Sequence, residues 1–157
     1  MLDEGYISKV DDLIKKYPKL IHSSDELSRS LLDIIILTPN IETDQKKELL
    51  EKYINLGLKP SRKNYNGTNA IHLSIQSCDI KIIEFMHSYP TNIYVSIITA
   101  INYGRIDVIK SIVTNNYHNF INVMSEEKTL AYFLYAMEIG NCEILKYLFL
   151  NDKIAIS

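Results

Sequence analysis

Histidines and cysteines are the side chains of this sequence best suited to chemistry, and their spacing matches no known site. The four histidines are His22, His72, His87 and His118. None of them pairs with another in the H-x-x-x-H or H-E-x-x-H spacing of a zinc site. His72 therefore has two interpretations, as a structural residue or as a metal ligand or general base, and the structural one is favoured.

The sequence also lacks the motifs that bind phosphate or carry a nucleophile. No G-x-x-x-x-G-K-[ST], G-x-G-x-x-G, G-x-S-x-G or C-x-x-C is present. Two pairs of adjacent acids, Asp11–Asp12 and Glu126–Glu127, are predicted to be solvated rather than catalytic. We therefore predict no catalytic residue, no cofactor and no metal, and hence no enzyme.

Charge and hydropathy exclude two further classes of protein. The 157 residues carry a net charge of −2, which argues against a protein held to nucleic acid by positive charge. The longest uncharged apolar run, Leu130–Met137, is far shorter than the roughly 20 residues of a membrane-spanning helix. The acidic N-terminus has no apolar core after it, so no signal peptide is predicted. A cytoplasmic location is expected, with no membrane partner.

Apolar residues recur at helical spacing along most of the chain. The first stripe runs from Ile7 to Tyr17, and Pro18 is expected to end the helix that carries it. Sustained strand alternation is absent. Five stripes are predicted at residues 7–17, 49–56, 80–86, 106–113 and 144–149, with shorter helices between them at 31–37, 70–77, 95–103 and 131–139. The pattern predicts an all-α protein of paired helices.

One short segment occurs three times. Gly104–Lys110 and Gly140–Lys146 align residue for residue, and Cys78–Glu84 is a third copy further upstream. The mean spacing of the three copies is about 31 residues, and a repeat of this length is typical of a solenoid. Because stacked helices lie about 8–10 Å apart, Cys78 and Cys142 are predicted to be too distant for a disulfide or a shared metal.

These segments resemble ankyrin repeats, whose period is about 33 residues and whose signature is T-P-L-H-x-A. The clearest copy is Asn64–Ser74. Within it, Gly67 stands at the glycine of the family's D-x-x-G turn, and Asn69–His72 stands where Thr-Pro-Leu-His usually does. A weaker copy, Asp25–Ile35, has Ser28 in place of the glycine.

The resemblance implies an all-α ankyrin-repeat solenoid of stacked helix-turn-helix units with short hairpin loops. It implies one domain over residues 1–157, with a half repeat at 1–24 and repeats near 25–60, 61–88, 89–119 and 120–157. In such a fold we expect a positive φ at Gly67 and a backbone hydrogen bond from His72 at the start of a short helix. Residues 38–43 should lengthen one turn, and the fourth repeat should have a short hairpin.

In ankyrin proteins, hairpin tips and short-helix ends line a concave binding face. The resemblance therefore predicts one partner-binding surface, and tyrosine is a common interface residue. Tyr17, Tyr53 and Tyr147 are instead assigned to core stripes, and Tyr117 to an exposed end. The predicted binding residues are Tyr65, Asn66, Gln76, Ser77, Asn92, Tyr94, Asn102 and Tyr103. A small basic cluster, Lys59, Arg62 and Lys63, is interpreted as a solvated loop or as a contact for an acidic partner.

The last predicted helix is more apolar than a one-sided stripe requires. Six residues of Glu143–Leu150 are apolar, so an apolar patch is expected beyond Phe149. This apolar patch could be covered by the tail at 154–157, by a second copy of the chain or by further repeats. Self-association or truncation is favoured, because four residues cannot cover a repeat face.

The function predicted from these features is non-enzymatic protein–protein interaction. An alternative is an ankyrin segment of a larger enzyme or effector whose chemistry lies elsewhere. A third hypothesis, a helical-repeat nucleic-acid binder, is disfavoured by the net charge. The chain has 25 Ile and 13 Asn but only 5 Ala, which suggests the AT-biased genome of a large DNA virus, an intracellular bacterium or an AT-rich protist. Together with this composition, the resemblance to divergent ankyrin repeats implies a viral or bacterial protein that acts on a host protein in the host cytoplasm.

Overall fold

The computed structural model describes residues 4–115 and 126–150. Within these ranges the chain forms nine α-helices, one short 3₁₀ helix and no strand. The all-α prediction is confirmed. None of the helices in these ranges combines the length and apolar character needed to cross a membrane. Tyr117 and His118 lie outside the described residues, as does the tail at 154–157.

The chain divides by its contacts into two compact units, Met1–Met86 and His87–Ser157. The helices are α1 Glu4–Lys16, α2 Leu31–Leu37, α3 Thr43–Asn55, α4 Ala70–Ser77, α5 Ile80–His87, α6 Ile93–Asn102, α7 Ile106–Asn115, α8 Glu126–Ile139 and α9 Cys142–Leu150, with the 3₁₀ helix at Pro18–His22. In the first unit, α2 packs against both α3 and α4. In the second unit, α6 packs against α7 and α8, and α8 packs against α9.

The first helix ends where the sequence predicts. α1 stops at Lys16, and Pro18 begins the 3₁₀ helix because proline fits the first position of a helix but not its interior. The stripe is less buried than predicted, since Leu13 and Tyr17 are 51% and 49% exposed. Tyr17 is therefore not a core residue, whereas Tyr53 is fully buried as expected.

Each unit has its own apolar core, formed by the inward stripes of its helices. Fully buried side chains of the first unit include Leu32, Leu50 and Ile71, and those of the second include Ile97 and Ile101. Burying such aliphatic side chains is the main source of stability for helices too short to be stable alone.

Two of the three repeated segments form the same turn. Gly104 and Gly140 have φ values of 65° and 76°, and each follows the C-terminal end of a helix. The N–H groups of Arg105 and Asn141 donate to Ala100 and Ala136 at 2.8 and 3.1 Å, respectively. These are the bonds of a Schellman cap, so the sequence alignment of these two segments holds at the level of backbone geometry.

The third repeated segment forms a different turn. Cys78 takes the place of the glycine, and its φ of −109° and ψ of 162° are extended rather than left-handed. Its buried thiol lies 3.8 Å from the carbonyl oxygen of Ile36. Asp79 then caps α5 by accepting from the N–H groups of Lys81 and Ile82.

The predicted long turn after α2 is held by a buried lysine. Lys46 of α3 is only 7% exposed, and its Nζ donates to the carbonyl oxygens of Ile36 and Thr38 at 3.2 and 3.0 Å. These carbonyls lack helical partners at the end of α2, and a cation is favourable there. Asn40, with φ 63°, completes the turn.

Candidate functional site

Two loops of the first unit repeat one hydrogen-bonding pattern. We define finger 1 as residues 25–30 and finger 2 as residues 64–69. In finger 1, the N–H of Asp25 donates to Arg29 O at 3.2 Å, and the N–H of Ser28 donates to Asp25 O at 2.9 Å. In finger 2, the equivalent bonds from Asn64 and Gly67 are 2.8 and 2.9 Å.

Side chains close both fingers in the same way. The Oδ1 atoms of Asp25 and Asn64 each accept from the backbone N–H groups two and four residues later, at 2.9 to 3.2 Å. Each is an Asx turn, which short polar side chains favour. Gly67 has the predicted positive φ of 73°, and Ser28 adopts a similar φ of 57° although it is not glycine.

Each finger leads directly into a capped short helix. Ser30 caps α2, and its hydroxyl and Asp33 form a reciprocal capping box. Asn69 caps α4 by accepting from the N–H of His72 at 3.0 Å. Asp33 and His72 therefore occupy equivalent positions, and both are buried.

The two fingers are joined by a backbone hydrogen bond. The N–H of Tyr65 donates to the carbonyl oxygen of Leu27 at 3.0 Å. The Tyr65 side chain points away from the core and is 79% exposed, the largest exposure among the large apolar residues described. The pair presents a rigid backbone with an aromatic ring at its tip.

Four of the eight predicted binding residues lie in the first unit. Tyr65 and Asn66 are exposed in finger 2, and Gln76 and Ser77 are exposed in the last turn of α4. The Ser77 hydroxyl donates to the carbonyl of Leu73 at 3.3 Å. All four are accessible to a partner.

The other four predicted residues lie in the second unit. Asn92 caps α6, while Asn102 and Tyr103 are exposed at the other end of that helix. Tyr94 is half-buried, because its ring packs against Tyr132 with centroids 5.3 Å apart and an angle of 34°. Tyr94 therefore has a structural contact that the sequence did not predict.

The basic cluster of the first unit is divided between two roles. The Nη1 atom of Arg62 donates to the carbonyl oxygen of His22 at 3.1 Å, so Arg62 holds the loop to the 3₁₀ helix. Lys59 and Lys63 are exposed and form no ion pair within the described residues. All three side chains keep their positive charge, and the two lysines are the more exposed.

No metal-binding group is found in the part of the chain that the structure describes. Within residues 4–115 and 126–150, no three His, Cys, Asp or Glu side chains converge into such a group. His87 is buried, with its Nε2 3.0 Å from the Ser96 hydroxyl, and neither Cys78 nor Cys142 forms a disulfide within these ranges.

Two buried polar side chains were not anticipated from the sequence. Oδ1 of Asp33 and the hydroxyl of Tyr132 have no hydrogen-bond partner among the described residues. Burial raises the pKa of Asp33, although the bonds from Ser30 act in the opposite direction, and burial also raises the pKa of Tyr132.

An ionic contact between α1 and α3 was also missed. The Tyr53 hydroxyl donates to Asp11 at 2.7 Å, and Lys52 forms an ion pair with the same carboxylate. Desolvation acts to raise the pKa of Asp11, but hydrogen bonds from Lys52 and Tyr53 outweigh it and lower that pKa. Asp11 and Tyr53 are far apart in the sequence, and nothing in their spacing indicates this contact.

Apolar grooves lie beside α1. One, of about 410 Å³, is lined by α1, the 3₁₀ helix and α2, including Val10, Leu13 and Ile34. A second, of about 570 Å³, shares Ile34 and Arg29 with it. Arg29 is already paired with Asp25 at 2.6 Å, so its charge is largely engaged within finger 1.

No family model matches the sequence, and neither a curated protein nor a solved structure is found to match it.

Proposed function

We propose that this chain is a protein-interaction module built from ankyrin-like helix-turn-helix units, and that it has no enzymatic activity of its own. The observation that supports this most strongly is the pair of fingers. They repeat the same loop bonds and helix caps, and a backbone bond joins Tyr65 of one to Leu27 of the other. Stacked loops of this kind present main chain and side chains in a fixed array.

The exposed residues of the fingers and short-helix ends suit a binding role. Tyr65 and Tyr103 are 79% and 46% exposed, and tyrosine buries a large area on binding at a low cost in conformational entropy. The backbone below Tyr65 is fixed by the Asx turn of Asn64. A preorganised loop loses little further freedom when it binds.

Site-specific photocrosslinking tests this proposal. We would place a photoreactive residue at Tyr65 or Tyr103, and at Glu51 and Glu143 as matched exposed helix controls. We expect a partner protein to be captured from the first two positions and not from the controls. A partner captured only at Glu51 or Glu143 would place the binding surface elsewhere.

Alanine variants complete the test against the captured partner. Tyr65→Ala with Tyr103→Ala should weaken binding without lowering the melting temperature, because neither ring is buried. Tyr94→Ala should lower the melting temperature as well, because it removes a ring that packs on Tyr132. A double variant that binds as tightly as the wild type would contradict the proposal.

Two features extend the proposal. The AT-biased composition supports a viral or bacterial protein that acts on a host protein, and a segment of a larger effector is the alternative.

Phe149 and Leu150 at the end of α9 are 74% and 64% exposed, which supports self-association through this helix. Light scattering should then detect a dimer that Phe149→Lys dissociates, whereas a concentrated wild type that stays monomeric would exclude it. Leu148 is buried and is left unchanged.

A further inference from the structure

We infer that finger 2 is the docking site for an extended, acidic segment of a partner protein, which pairs with the backbone carbonyl of Asn66 and contacts Tyr65, Lys59 and Lys63. This inference rests on the proposed function and specifies the chemistry of the partner at that surface. Three observations support it: the correspondence between residues of fingers 1 and 2, the short connection between α5 and α6, and the positive charge of residues 56–78.

The correspondence between the two fingers identifies the backbone atom that would pair with the partner. Asn66 is the counterpart of Leu27, since each contributes the N–H that donates to the Asx side chain of its own finger at 3.0 Å. The carbonyl oxygen of Leu27 accepts the N–H of Tyr65 from the neighbouring finger. By this correspondence, we place the carbonyl of Asn66 where it can accept an N–H from an extended segment on the side of finger 2 that faces away from finger 1.

The next connection along the chain is too short to form a third finger at that position. The connection before α4 spans residues 56–69, whereas the connection between α5 and α6 spans only residues 88–92. Its last residue, Asn92, already caps α6, so too few residues remain for another hairpin. Asn66 is exposed to solvent, and we place the main-chain contact of the partner at its carbonyl. An extended peptide can bind through such main-chain hydrogen bonds, with its side chains adding specificity.

Charge selects the kind of segment that would bind. Residues 56–78 contain Lys59, Arg62 and Lys63 and no acidic residue. They carry +3 while the whole chain carries −2, so the rest of the chain carries −5. Arg62 keeps its charge, because its partner, the carbonyl of His22, is neutral, and Lys59 and Lys63 are the more exposed of the three. Such a local potential favours an acidic partner and speeds its association.

Peptide titrations followed by NMR test this inference on the full chain. The probe is a short acidic peptide of alternating Val and Glu, which favours an extended conformation. Two controls are its Val–Lys counterpart and a version N-methylated at alternate residues to remove N–H donors. We expect the acidic peptide to shift the amide signals of residues 59–68 and leave those of α7 unchanged, while both controls bind weakly or not at all.

Variants of the protein separate charge from general surface effects. Lys59→Gln with Lys63→Gln should weaken binding of the acidic peptide by about threefold to tenfold, as exposed charge pairs contribute only modestly. Lys19→Gln with Lys146→Gln removes two charges elsewhere and should leave the affinity unchanged. Tyr65→Ala should also weaken binding without altering the melting temperature.

Three outcomes would overturn the inference. The first is that millimolar acidic peptide causes no shift in the amide signals of residues 59–68. The second is that the N-methylated peptide binds as tightly as the unmodified one. The third is that polyuridylate RNA binds more tightly than the acidic peptide at the same residues. Crosslinking at Tyr65 is independent of the peptide. If a protein is captured there while the peptide fails, the proposed function stands and the extended acidic partner is wrong.

Discussion

Finger 1 and finger 2 have the same backbone hydrogen bonds but are built from different side chains. Finger 2 uses Gly67 at the left-handed position and leads to His72, whereas finger 1 uses Ser28 and leads to Asp33. Finger 1 has in addition an ion pair between Asp25 and Arg29. The Arg29 hydrogen bond is the main cause that lowers the pKa of Asp25. The loop geometry therefore tolerates a serine at the left-handed position in a finger that also has the contact between Asp25 and Arg29.

The comparison indicates that finger 2 is the better-formed copy. Its left-handed residue is glycine, which adopts a positive φ without steric conflict, whereas a residue with a Cβ is strained there. Its buried residue after the cap is a histidine rather than a carboxylate with an unpartnered oxygen. We expect the two copies to respond differently to the same substitutions, and we order the tests by expected size.

The largest difference is expected at the equivalent buried positions. His72→Ala should lower the free energy of unfolding by about 1–3 kcal/mol, because it removes a buried polar ring and its contacts. Asp33→Ala should cost less at pH 7, because it loses the bond to the Ser30 N–H but also removes a buried carboxylate. Urea unfolding of both variants measures this asymmetry, and a larger loss for Asp33→Ala would contradict it.

Gly67→Ser makes finger 2 resemble finger 1. An added Cβ at Gly67 would meet no heavy atom within 4 Å, so the substitution creates no clash. Its cost is conformational, since φ is 73°, and we expect a loss of about 1 kcal/mol. Thr68→Ser in the same finger is the control. Thermal and urea unfolding would show no change if the left-handed conformation were unimportant.

Ser28→Gly makes finger 1 resemble finger 2 and should have a smaller effect of opposite sign. The φ of 57° favours glycine, but glycine also gains freedom in the unfolded chain. We expect a net stabilisation of about 0.5 kcal/mol, measured by urea unfolding. A destabilised variant would mean that the Ser28 side chain contributes a contact that exceeds the relief of backbone strain.

The sequence predicted those parts of the fold that depend on local rules. The end of α1, the positive φ of Gly67 and the repeated turns at Gly104 and Gly140 follow from proline, glycine and helical periodicity. The turn at Cys78 aligns with these two in sequence but differs in conformation: Cys78 has a Cβ, which disfavours the left-handed region, and its backbone is extended.

Long-range polar contacts could not be predicted in the same way. The bonds from Lys46 to the end of α2 and from Tyr53 to Asp11 join residues of different helices. They depend on how the helices pack, and the spacing of a single sequence does not encode that. The half-burial of Tyr94 has the same origin, since it depends on Tyr132 of another helix. The exposed residues of finger 2 were predictable because a tight loop fixes its own tip.

The last prediction concerns the pH dependence of finger 1, because Asp33 has a raised pKa and no carboxylate occupies the equivalent place beside finger 2. Folding disfavours the charged form of Asp33, so its contribution to stability is complete below the unfolded pKa of 3.8 and is lost as the pH rises through the folded pKa. Asp33→Asn keeps an acceptor for the Ser30 N–H and does not titrate. The variant should therefore match the wild type near pH 3 and become progressively more stable than it towards pH 7.

Comparing the stability of each variant with that of the wild type at the same pH isolates the contribution of the substituted residue. Asp11, Asp79 and Asp107 have lowered pKa values and give both proteins the opposite slope, which cancels in the difference. Urea unfolding at several pH values measures that difference, with His72→Asn as the matched substitution beside finger 2. A difference between Asp33→Asn and the wild type that stays constant from pH 3 to 7 would show that Asp33 titrates normally. The two fingers would then differ in the backbone strain at Ser28 and in the ion pair between Asp25 and Arg29, and the buried carboxylate would no longer distinguish them.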